Sequence, residues 1–185
     1  MKTQSNSLFH NVIISDTSCL IVLSNIGQLE LLKKLFGRVT ITPEVFEEFT
    51  IKYKDKMPEW IDVKEAKNKE KVIELNTKLG LGESSSIVLA SETPGSLVII
   101  DEKKAREYAL NIGLNVIGTV GVIRRATDVN IIESHEKANE IFRELKSKGF
   151  WLNAKFVGNI NYPINSKSNN TQESAQEQNQ PHKFR

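Results

Sequence analysis

Apolar residues along the chain fall into short β-branched runs separated by longer stretches with helical spacing. Val12, Ile13 and Ile14 form one such run, and Leu97-Val98-Ile99-Ile100 forms the clearest buried strand. Val39-Thr40-Ile41 and Asn115-Val116-Ile117 are shorter strand candidates, and Trp60, Ile61 and Val63 suggest a brief extended piece within residues 58–66. Between them, helical periodicity covers residues 20–26 and 29–36, with Thr17 or Ser18 a fair cap for the first and Gly37 closing the second. A third helix starts at Pro43 behind the cap Thr42. Further helices are predicted over 68–79, over 83–91 after the Gly80-Leu81-Gly82 break, over 102–112, over 119–126 and over 134–148, with a final short element over 151–160. Strands that alternate with helices call for a mainly parallel sheet covered on both faces, so the expected class is three-layer α/β/α and Rossmann-like.

With 185 residues the chain suits one domain with a real core. Residues 1–11 read as a polar extension and 12–160 as the domain. From Pro163 onward Asn, Ser, Gln, Glu and Lys dominate, so 161–185 is expected to be a disordered polar tail. A hydrophobic share of 39% beside 26% charged residues describes a globular chain, and a formal net charge of +2 argues against a broad basic coat for nucleic acid while allowing a local patch. The single cysteine, Cys19, excludes a disulfide framework and a cysteine zinc site. No apolar stretch approaches membrane-spanning length and the first residues lack a signal-peptide core, so no membrane association and a cytoplasmic location are expected.

Chemistry enters through carboxylates at element boundaries. The first strand ends at Asp16 and the clearest strand at Asp101, which puts both at the carboxyl edge of a parallel sheet, where ligands of such folds bind. Each Asp also suits a plain helix cap. Glu83 opens a helix beside Ser84, Ser85 and Ser86, where the helix dipole favours negative charge and a surface Glu is the bland reading. Glu44, Glu47 and Glu48 share one helix with the apolar stripe of Val45 and Phe49, and one at the edge of that stripe can turn inward. The histidines His10, His135 and His182 lie in polar contexts that suit surface positions.

The order Ile14-Ser15-Asp16-Thr17-Ser18, Pro43 to Glu48, Gly80-Leu81-Gly82-Glu83-Ser84-Ser85-Ser86 and Ile100-Asp101-Glu102-Lys103-Lys104 resembles the PIN-domain nucleases, closest to a PIN-like subgroup related to VapC-type toxins. Residues 113–123 and Lys148-Gly149-Phe150-Trp151 are similar to that subgroup too. The resemblance covers about residues 12–160 and implies that Asp16, Glu48, Glu83 and Asp101 converge on divalent metal and cleave RNA, with Glu47 an alternative for the helix position. Many relatives carry Asp where this chain has Glu83, and Cys19 stands where Pro is common. Cys19 reads as a small packing residue.

Independently of family, carboxylates gathered in a cleft repel unless cations compensate or protons bind, and hard oxygen donors suit Mg²⁺ or Mn²⁺. Such ions activate water and stabilise a leaving oxygen, while Thr17 or Ser18 supplies supporting hydrogen bonds. Lys103, Lys104, Arg106, Arg124 and Arg125 are candidates for phosphate contacts, against the plain reading of a solvated face. The leading expectation is a metal-dependent endoribonuclease, the toxin of a toxin–antitoxin pair with a cognate antitoxin. A catalytically weak PIN-like binding module is the alternative. A phosphoacceptor receiver is disfavoured, because it wants an acidic pair after the first strand and a Lys after a late one. A homodimer through Leu29, Leu32 and Phe36 competes with core packing of the same residues.

Overall fold

The computed structural model describes residues 12–53 and 57–150. The extension at 1–11, the short element at 151–160 and the tail at 161–185 lie outside the described residues. Five parallel strands form one sheet in the order β3-β2-β1-β4-β5, where β1 is Ile13–Ser15, β2 Val39–Ile41, β3 Ile61–Val63, β4 Leu97–Ile99 and β5 Asn115–Ile117. The ambiguous stretch at 58–66 therefore holds an edge strand. Its alternation is weak because Asp62 and Val63 are exposed there and only Ile61 is buried.

The central strands bury both faces, which explains their unbroken apolar runs. Ile13, Leu97 and Ile99 pack into one core with Leu20, Leu32, Phe49 and Phe142, whereas Ile14, Val98 and Ile100 pack into a second with Val72, Ile87 and Ala105. The first core lies under α1 (Thr17–Asn25), α2 (Glu30–Phe36), α3 (Pro43–Lys52), α7 (Thr119–Asp128) and α8 (His135–Ser147). The second lies under α4 (Lys69–Asn76), α5 (Leu81–Ser91) and α6 (Lys103–Asn111). This is the expected three-layer α/β/α arrangement. Leu32 is fully buried and Leu29 and Phe36 pack partly buried against the first core, so these three residues serve packing within the chain.

Helix starts decide among the capping alternatives that the sequence leaves open. Asp16 itself caps α1, its carboxylate accepting from the Cys19 N–H, so Thr17 and Ser18 are helical rather than capping. At α6 the cap is Glu102, which accepts from the Ala105 N–H at 2.7 Å and leaves Asp101 free of that task. The next helix, α5, begins two residues earlier than its Gly-rich break suggests, with Gly80 at the cap position. No described helix is long and apolar enough to cross a membrane.

Candidate active site at the carboxyl edge of the sheet

The strand order reverses between β1 and β4. Moving outward from β1 the chain runs to β2 and β3 on one side and to β4 and β5 on the other. At such a switch point the connections leave in opposite directions and open a crevice beyond the strand ends. Asp16 follows β1 directly and Asp101 lies two residues past β4, so the two carboxylates occupy that crevice. Their strands are neighbours, with Ser15 in register with Ile99.

Asp16 is 1% exposed. Its carboxylate accepts from the Ser18 hydroxyl at 2.9 and 3.0 Å and from the Cys19 N–H at 3.3 Å. Burial, with the nearby charges of Asp101 and Glu83, pushes its pKa up to about 8 despite those bonds. Asp101 accepts from the backbone N–H of Thr119 at 2.8 Å and from the Thr119 hydroxyl. Burial holds its carboxyl above the usual range, opposed by Thr119 and by the positive charge of Arg106. Arg106 is fixed in turn by donating to the Ile100 carbonyl at 2.8 Å.

Glu48 reaches the same edge from α3. The Thr17 hydroxyl donates to its Oε2, while Glu47, one residue earlier, points into solvent and is exposed. Close packing of α5 makes room for this contact. A Cβ at Gly82 would stand 2.7 Å from Glu48 Oε2 and 2.8 Å from Thr17 Oγ1, inside normal contact distance. Glu83, next along α5, is half-buried, and burial raises its pKa, with further upward pushes from Glu102 and Glu48. Ser85 ties α5 to α3 by a 2.7 Å hydroxyl contact with Thr42, which keeps the two acid-bearing helices adjacent.

The structure thus brings Asp16, Glu48, Glu83 and Asp101 to one edge of the sheet. Three residues with a place there had no site role in the sequence reading. Glu102 adds a fifth carboxylate near Glu83, signalled only by the Asp101-Glu102 doublet. Thr119 holds Asp101, and Gly118 makes space for it, because a Cβ there would stand 2.8 Å from Asp101 Oδ1 and 2.7 Å from Arg106 Nη1. His135 is exposed at the start of α8, as expected, and Cys19 is buried in the core. Among the basic candidates, Lys103, Arg106 and Arg124 border the crevice beside Asp101, while Arg125 sits 5.8 Å over the ring of Phe36.

The donor set fits a divalent cation in its chemistry. It is all hard oxygen, it is partly desolvated, and its charges raise one another's pKa values as carboxylates do when a cation is needed between them. As oriented, no three His, Cys, Asp or Glu side chains among the described residues ring a single point. Thr17 and Thr119 each fix one carboxylate through a hydroxyl.

An α/β/α domain with acids at the switch point of a parallel sheet carries them where ligands of such folds bind. A family model described as a PIN domain matches residues 12–165, and the chain belongs to that family. Comparison with curated proteins and with solved structures found no match.

Proposed function

We propose that this protein is a divalent-metal-dependent endoribonuclease that hydrolyses RNA phosphodiesters. The observation that carries the reading is that Asp16 and Asp101, past the ends of neighbouring strands at the switch point, share one edge of the sheet with Glu48 and Glu83 from two helices. Acids gathered at one edge repel one another or take up protons unless a cation lies between them. Asp16, Glu48, Glu83 and Asp101 are the proposed ligands and catalytic residues. Mg²⁺ or Mn²⁺ bound by them would supply Lewis acidity toward a phosphate oxygen and a means of activating water. Ser18 and Thr119 orient Asp16 and Asp101, Thr17 orients Glu48, and Arg106 offers positive charge beside the place where a phosphate would lie.

Purified protein incubated with RNA is expected to cleave it with Mg²⁺ or Mn²⁺ and not with EDTA. Asp16→Asn and Asp101→Asn should each lower the rate at least a hundredfold. Undiminished cleavage in both variants would show the assignment to be wrong. A second reading, a PIN-like RNA- or protein-binding module with weak or no catalysis, draws on the dispersed orientation of the acids. It predicts RNA binding without metal-dependent cleavage. The toxin role within a toxin–antitoxin pair, acting in the cytoplasm, is a finer proposal. It expects growth arrest on expression, relieved by a small co-encoded protein that binds this chain.

A further inference from the structure

Beside Asp101 a groove of about 550 Å³ opens between α6 and α7, along β5, the edge strand among the described residues. That volume lies in the range of small-molecule sites, roughly 300–1,000 Å³. The groove's composition is divided. Leu110, Val116 and Val120 give it an apolar wall, Phe150 is the one aromatic side chain among the described residues lining it, and Lys103, Arg106 and Arg124 place positive charge along it. Leu110 is 54% exposed and would be covered by whatever fills the groove. Arg106 is held in place by the Ile100 carbonyl and lies beside Asp101, so the cationic margin and the carboxylate edge meet. The acidic side chain of Glu107 also lines the groove, where it pairs with Lys103 at 3.8 Å.

We propose that this groove is a nucleotide subsite: one unpaired base of an RNA strand lies against Phe150, Leu110 and Val120, and an adjoining phosphate is held by Lys103 and Arg106. The inference rests on the nuclease reading of the neighbouring acids and extends it to the form of the substrate. Charge complementarity argues for the occupant. Two basic side chains next to an apolar wall match a nucleotide, which joins an anionic phosphate to a flat apolar base. Confinement argues for a single strand, since a base stacked within a duplex cannot turn into a groove between two helices, whereas an unpaired base can be splayed out and stacked on an aromatic ring. Continuity with Asp101 then sets the register, with the bound nucleotide next to the phosphodiester at the acids.

The test uses the full chain and a fluorescent single-stranded RNA carrying 5-iodouridine, with Ca²⁺ and separately with EDTA. Ultraviolet crosslinks mapped by mass spectrometry are expected on Phe150 or on the peptides of α6 and α7. Phe150→Ala should lose that crosslink and weaken binding about tenfold, and Leu110→Asp, at an exposed position, should do the same without touching the core. A blunt duplex of the same sequence should bind at least tenfold more weakly. Crosslinks confined to other surfaces, unchanged affinity in both variants, or equal binding of duplex would each overturn the subsite. Failure of the nuclease reading shows separately, as intact RNA in Mg²⁺ or Mn²⁺ whatever the crosslinks show.

Discussion

The hydroxyl of Thr17, on the first turn of α1, donates to Oε2 of Glu48, midway along α3, and so ties together two helices that pack on the same face of the sheet. Thr17 is 8% exposed, so the bond is shielded from water. A hydrogen bond to a charged acceptor contributes about 1.5–3 kcal/mol net. Thr17→Val keeps the shape and removes the donor. It is expected to lower unfolding free energy by about 1–2 kcal/mol in urea denaturation, and to weaken Mg²⁺ binding measured by calorimetry, because Glu48 loses its orienting partner.

Asp16 makes stability depend on pH in an unusual direction. Its folded pKa is raised, from 3.8 to about 8, so between those values the folded state holds a proton that the unfolded state has released. Stability must therefore fall as pH rises through that window, by up to about 1.4 kcal/mol per pH unit from this group. Asp16→Asn retains a competent helix cap but cannot ionise. Thermal melts in EDTA are expected to find the variant more stable than the parent at pH 8, with the difference vanishing near pH 4. A constant difference across that range would refute the burial argument.

A cation that neutralises the same carboxylates should reverse the trend. Ligand at a hundred times its dissociation constant stabilises the folded state by about 2.7 kcal/mol. Mn²⁺ or Mg²⁺ is expected to raise the melting temperature of the parent protein more at pH 8 than at pH 6, since ionised donors bind better. The doubly substituted Asp16→Asn, Asp101→Asn protein should show no such rise in differential scanning fluorimetry.

Gly118 separates a packing effect from a folding one. Its φ of −111° suits any residue, so alanine adds no backbone strain there. The added methyl would instead meet Asp101 Oδ1 and Arg106 Nη1. Gly118→Ala is expected to reduce RNA cleavage at least tenfold while lowering unfolding free energy by about 1–3 kcal/mol. Equal activity in the two proteins would mean that Asp101 can shift without consequence.

How much of this the sequence made legible follows from the physics of each feature. Burial on both faces writes itself as unbroken apolar runs, so the stretches around Ile14 and Val98 were readable as strands, and the α/β/α class with them. The Thr42-Pro43 start of α3 was readable because cap and proline act locally. The cap of α1 stayed open among Asp16, Thr17 and Ser18, all good caps, because which one serves depends on where β1 ends. The choice of Glu48 over Glu47 was open for the same kind of reason, since Thr17 on another helix determines it. Thr119 and Gly118 went unread because their contacts with Asp101 span eighteen and seventeen positions and carry no local pattern. The edge strand β3 stayed ambiguous because an edge relaxes the demand for apolar residues.

The pairing of Ile13 with Leu97 joins the first strand to one made some eighty residues later, and Thr119 follows only after β5. A chain emerging from the ribosome therefore carries Asp16 long before its partner acid exists. Until β4 slots in beside β1, the crevice has one wall and Asp16 stays wet and unrepelled. A chain that ends before β4 therefore lacks both Asp101 and Thr119 and cannot complete the acidic edge.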